Sequence, residues 1–246
     1  IEPPNRTSMP DQRPTDRDEP HRPSINARGV RSDDGQAWGA LYTLLAEGLK
    51  HPDERLHRDV REGRFAEELT RLAETLSVSL PAGSSELKTA PETRAAFDGE
   101  YIELFEGLKT PYASPIESVY RPWHGGPAND GLLSGPAAAD MRDRYDAAGV
   151  SVPAAYAPDH LALLLEYAGA LHRAGADAAY LTFVEQHFEW LPALRRLTDA
   201  AAADAPFHGY CVEVVCETVA VVREREGLTP PAPGLVAEMC DRARSH

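Results

Sequence analysis

Apolar residues recur at helical spacing along most of this chain, and nowhere do they alternate over a convincing length. That periodicity restricts the chain to an all-helical fold. Trp38, Leu41, Tyr42, Leu45 and Leu49 form one stripe at i, i+3, i+4, i+7 and i+11. Asp33 or Asp34 can cap its start. His51-Pro52 ends it, because the residue before a proline leaves helical space. A second stretch over 54–78, with Leu69, Leu72 and Leu76 on one side, is expected to break near Gly63, and 81–90 is a loop by composition. Further helical stripes follow. Phe97, Tyr101, Leu104 and Phe105 mark one that starts near Pro91 and stops at Gly107, and another covers 137–148. Leu161, Leu164, Leu165, Ala168 and Leu171 mark one over 158–174. Tyr180 to Phe188, Trp190 to Leu197, Cys211 to Val222 and Val236 to Ala243 supply the rest. The expectation is an all-α fold, a single helical domain of about eight to ten helices over 35–246. Residues 1–34 hold six prolines and no periodicity, which reads as a disordered tail.

The charge narrows the partners. Asp plus Glu number 39 against 25 Lys plus Arg, a net charge of −14, and only Lys50, Lys88 and Lys109 are lysines. The tail carries six arginines and seven carboxylates, so the excess belongs to the folded part, where it suits a solvated, salt-adapted surface. A nucleic-acid binder needs a basic face to release counterions, and an anionic membrane surface attracts basic segments, so neither is an expected partner. No apolar run is long enough to span a membrane and no secretory leader is visible at the N-terminus. Cys211, Cys216 and Cys240 lack zinc spacing and read as buried thiols of a reducing cytoplasm. Phosphate cradles, HExxH and GxSxG are all absent. His187 lies on an apolar face and reads as a satisfied core histidine.

Two segments do not suit a plain bundle. Residues 107–136 run 30 positions without a helical period, with five glycines and four prolines before Pro136. Helix connections usually take about 2–8 residues. Tyr112, Ile116, Val119, Tyr120 and Trp123 are costly to leave in water, so the loop is expected to be ordered. It either forms one wall of a groove or packs on the core as an Ω-like loop. The second segment is Ala157-Pro158-Asp159-His160, read as a helix start with Pro158 at the first helical position and Asp159 in the first turn. His160 there is either a neutral donor–acceptor or a switchable cation.

Together with two others, these segments resemble the TorD family of redox-enzyme maturation chaperones, related to the delta-chain assembly factors of nitrate reductase. Ala40–Leu45 followed by His51-Pro52-Asp53-Glu54 is similar to that family's first helix and its YPDE-like exit, with His51 where an aromatic is common. Glu100–Gly107 resembles its EYxxLFxG element, Pro115–Tyr120 its ESVY loop, and Pro158-Asp159-His160 with Leu165-Glu166-Tyr167 its PDH…LEF element. Two acids often found there are missing, with Tyr156-Ala157 ahead of the PDH element and Leu164 ahead of the LEF-like one.

The resemblance implies a cytoplasmic, non-enzymatic chaperone without a cofactor. Its partner would be a molybdopterin oxidoreductase catalytic subunit, met as the apo form or through its twin-arginine leader and held until cofactor is inserted and export can begin. Such a leader has a basic end and an apolar stretch, and wants an apolar groove with acceptors at one end. Tyr101, Tyr120 and Trp123 would give apolar wall. Glu117, Asp159 and Glu166 would accept from guanidinium, and Ser118 and His160, beside Pro158, would bond the peptide backbone. Leu104 and Phe105 read as core. A helical scaffold for a folded partner, or a small nucleotide-binding hydrolase, is the alternative, and either a monomer or a domain-swapped dimer is open.

Overall fold

The computed structural model describes residues 25–107, 110–120 and 135–245, the first nine of these as backbone only. Its helices are α1 (Ile25–Gly48), α2 (Glu54–Arg61), α3 (Arg64–Leu76), α4 (Arg94–Phe105), α5 (Glu117–Tyr120), α6 (Pro136–Ala147), α7 (Leu161–Arg173), α8 (Asp177–His187), α9 (Leu191–Ala201), α10 (Pro206–Glu226) and α11 (Pro233–Arg244). Each apolar stripe of the sequence became one of these. The addition is α5, four residues inside the long loop, too short to show a period. Among the described residues the only β pairing is a single antiparallel bridge between Ile116 and His160.

Local chemistry sets the breaks. The Asp53 carboxylate caps α2 by accepting from the Leu56 amide at 2.7 Å, and the Thr93 hydroxyl caps α4 from Ala96. Gly63, with φ of 80°, separates α2 from α3. Two boundaries differ from expectation. α1 begins at Ile25, inside the segment read as tail; nothing after Pro23 breaks it, and a nucleated helix propagates at little cost. The expected disorder over 1–24 lies outside the described residues. α7 begins at Leu161, so Pro158 and Asp159 precede the helix. His160 is its N-cap, in extended conformation, held out of the helix by the bridge to Ile116.

α1 runs along α7 at glycine contact. A Cβ on Gly169 would lie 3.0 Å from the Gly39 carbonyl oxygen, and one on Gly35 would lie 2.9 Å from that of His172, so the two backbones approach where only glycine fits. α10 crosses beneath, with Phe207 edge-on to Phe65 and Phe97, and His208 stacked 4.9 Å from Phe97. The His208 Nδ1 donates to the Gly48 carbonyl at 3.2 Å, and burial lowers its pKa to about 4. Leu104 and Phe105 are core residues, as expected, and all three cysteines are free and buried. No described helix is long and apolar enough to cross a membrane.

Candidate functional site

Docking of the 110–120 segment onto the turn before α7 creates a buried polar seam. The Leu161 amide donates to the Pro115 carbonyl at 2.8 Å, and the Glu117 amide to the Asp159 carbonyl at 3.1 Å. The Ser118 amide reaches Asp159 Oδ2 at 2.8 Å, and its hydroxyl donates to the same oxygen. Burial raises the Asp159 pKa, and the bonds from Ser118 pull it partly back. Asp159 Oδ1 has no partner among the described residues. Tyr120 then sinks into the core, its ring 4.8 Å from Trp190 and its hydroxyl donating to the Ser114 carbonyl at 2.8 Å.

A chain of polar side chains backs this docking. His187 on α8 joins Glu117 Oε2 at 2.7 Å through Nδ1 and Asp140 Oδ2 at 2.9 Å through Nε2. Arg144 bonds Asp140 at 2.6 Å and Gln186 at 2.7 Å, and lies over the Phe183 ring. Burial opposes ionisation of Asp140, but the bonds from Arg144 and His187 outweigh it and hold its pKa below the usual carboxylate range. His187 is thus a core histidine, as expected. It is also the link that ties the loop to α6 and α8.

On the other side of this seam lies a cleft of about 180 Å³ lined by His51, Tyr101, Phe105, Glu106, Pro115, Ile116, Ala155, Tyr156, Ala157 and His160. These residues come from the first-helix exit, the EYxxLFxG element, the ESVY loop and the PDH turn. Four segments distant in sequence therefore meet in one opening. His160 is neutral there. Its Nδ1 accepts from the Ala162 amide at 3.2 Å, leaving Nε2–H to face the Tyr101 hydroxyl at 3.2 Å, and burial drives its pKa down to about 3. The donor–acceptor alternative for His160 therefore holds over the switchable cation. Tyr156 stands edge-on to His160 with ring centroids 4.9 Å apart, and its hydroxyl accepts from the His51 amide at 3.2 Å.

The cleft mouth is acidic and solvated. His51 bridges Asp98 Oδ1 at 3.1 Å and Glu106 Oε1 at 2.8 Å. Next to it in sequence, Lys50 bridges Glu47 at 2.9 Å and Glu166 at 2.5 Å. Burial works against the Lys50 ammonium, yet its two carboxylate bonds win and raise its pKa.

The expected site residues thus divide by position, since Tyr101 and His160, though buried, line the cleft, while Glu166 lies outside the lining and pairs with Lys50. Glu117, Ser118, Tyr120 and Asp159 are buried in the seam, outside the cleft lining, where they hold the loop. Pro158 is also buried, its carbonyl accepting from the Tyr145 hydroxyl at 3.2 Å. Trp123 lies outside the described residues. Sequence reasoning missed Lys50, Asp98, Glu106 and Tyr156. Asp98 lies just before the EYxxLFxG element and Glu106 inside it, and Lys50 precedes the histidine standing in an aromatic's place, which was the available signal. Among the described residues no cluster of His, Cys, Asp or Glu is arranged to hold a metal.

Residues 62–200 match the nitrate reductase delta subunit family, more than half of the chain and three of the four cleft-lining segments. The chain belongs to that family. Its members are NarJ- and TorD-like chaperones, a maturation family and not a catalytic one, in agreement with the resemblance drawn from the motifs. No curated protein matches the sequence. Among solved structures, a redox enzyme maturation protein from Archaeoglobus fulgidus is similar at 15% identity and a TM-score of 0.41, over 83% of this chain and 99% of that one.

Proposed function

We propose that this chaperone binds the twin-arginine leader, or the equivalent segment of the apo form, of a molybdopterin-dependent oxidoreductase subunit in the cytoplasm, and holds it in the cleft until cofactor is inserted. The observation that carries this reading is the convergence of all four motif segments on one opening. Its walls are Tyr101, Phe105, Pro115, Ile116 and Tyr156, the Glu106 carboxylate is part of its lining, and further carboxylates lie beside it on Lys50 and His51. A leader's apolar stretch suits the walls, and its guanidinium groups suit the rim, where Arg can bind carboxylate bidentately. The buried Asp159, Glu117 and Ser118 serve by fixing the shape of the Ile116 wall.

The test is binding of a leader-type peptide with two adjacent arginines and an apolar run, followed by calorimetry. Ile116→Ser changes a half-buried wall residue and Tyr156→Ala removes the ring beside His51 and His160. Each is expected to weaken binding at least tenfold while thermal melting stays within a few degrees of wild type. Equal affinity in wild type and both variants would remove the cleft from the proposal. Capture of a leader-deleted client as efficient as that of the full client would place recognition on the folded subunit.

A further inference from the structure

Carboxylates in and beside the cleft lining are already engaged by two basic side chains of this chain, and those two are adjacent in sequence. Lys50 sits between Glu47 and Glu166, and His51 between Asp98 and Glu106. We infer that Lys50 and His51 are built-in placeholders for the two arginines of a bound leader, and that the leader docks by displacing them from these two carboxylate pairs. This rests on the cleft being the leader site and adds how the arginine pair is recognised.

Three observations support it. The first is geometry. Two carboxylate pairs serve two consecutive residues, which is the arrangement a dipeptide of two basic residues requires of its acceptors. The Lys50-His51 segment leaves α1 in an open turn just after Gly48, with no following helix until Glu54, so the two side chains can withdraw without unwinding α1 or α2. The second is accessibility. All four carboxylates keep between 27% and 47% of their side-chain surface, in contrast to the fully buried Glu117. Water or a competing cation can reach them without breaking the core. The third is the inequality of the ligands. Lys50 is a point charge and His51 offers one nitrogen to each acid, whereas guanidinium presents five donors in a planar fork matched to carboxylate. With four carboxylates facing one lysine and one histidine, the acids outnumber the basic groups. Exchange for two arginines is therefore favourable in hydrogen bonds, and it prevents the rim from holding ligands that carry a single basic residue.

Other groups face the same mouth. Tyr156 bonds the His51 amide, the Tyr101 ring lies 4.3 Å from that of His51, and His160 lies behind them as a neutral ring. None carries a charge that would replace the displaced cations, so the leader must supply it.

The experiment is fluorescence anisotropy with the full chain, using a labelled synthetic leader with adjacent arginines and an apolar run, and a twin-lysine counterpart. Lys50→Met and His51→Gln each free one carboxylate pair, and each is expected to tighten the twin-arginine probe threefold to tenfold, with little gain for the twin-lysine probe. Lys50→Arg strengthens the placeholder and is expected to weaken the probe by a similar factor. A cation that was merely structural would give the opposite sign on removal, since a loosened mouth loses affinity. Unchanged or weaker binding by both removal variants, with wild-type binding intact, overturns the placeholder role and leaves the cleft reading standing. Absence of twin-arginine binding in wild type and variants alike overturns both.

Discussion

The seam and the mouth of the cleft are built from the same residue types and behave as opposites. In the seam, Glu117, His187, Asp159 and Ser118 are buried between α5, α6, α8 and the turn before α7, with Asp140 at its partly exposed end. Beside the cleft, Lys50, His51, Asp98, Glu106 and Glu166 keep between 23% and 47% of their side-chain surface in solvent. Burial is the difference. A charge removed from water is held by its partners, because separating them leaves an uncompensated ion in low dielectric. A charge at the rim exchanges its partner for water or ligand at almost no cost. The first arrangement fixes shape and the second keeps acceptors available.

The comparison can be broken most directly at Glu117. Glu117→Ala leaves His187 buried beside Asp140 with its Nδ1 partner gone, and is expected to cost about 3–5 kcal/mol, the usual loss when one member of a buried pair is removed. Urea denaturation measures it. A loss under about 1 kcal/mol would show that the seam does not hold the loop. Glu117→Ala combined with His187→Ala should cost less than the sum of the two single changes, because the pair is lost once.

A second test uses pH. The His160 and His208 rings are buried and neutral, with pKa values lowered to about 3 and about 4 against an unfolded value near 6.5. The unfolded chain therefore binds more protons below neutrality. The stability from each ring is fully present above pH 6.5 and is lost as pH falls toward its folded pKa. At pH 5 each is expected to have lost about 2 kcal/mol relative to pH 7. Urea melts at pH 7 and pH 5 check the fall, to which His172, lowered to about 4 by burial, also contributes, and His208→Gln, which does not titrate, should reduce it by about 2 kcal/mol. An equal fall in that variant would assign the acid sensitivity elsewhere.

Legibility in the sequence follows the same division. The helices were readable because each buries one stripe, and burial writes a 3.6-residue period into the chain, as Trp38 to Leu49 and Cys211 to Val222 show. The order of the 110–120 part of the loop was readable, since Tyr120 and Val119 are too apolar to leave exposed; residues 121–134 of that loop lie outside the described residues. Which acids would be buried was not readable. Asp159 read as an ordinary first-turn carboxylate. Its burial depends on Ser118, 41 positions away, and on His160 pairing with Ile116. Local spacing carries no information about a partner that distant. The rim was missed for the complementary reason. Lys50, Asp98 and Glu106 look like any solvated charge until the fold brings them around one opening.

The smallest expected effect sharpens the contrast from the open side. Glu166→Gln removes one rim carboxylate whose side chain is 39% exposed, and leaves Lys50 its bond to Glu47. Its stability cost should stay below about 1 kcal/mol, as for exposed ion pairs generally, and should shrink further at high salt, where screening weakens surface charges first. Thermal melts of wild type and variant at low and at molar KCl measure both statements. A cost comparable to that of Glu117→Ala, insensitive to salt, would mean that the rim is part of the fold's frame. Lys50 would then be a strut of the cleft, and the leader's arginines would have to find their acceptors elsewhere on the acidic surface.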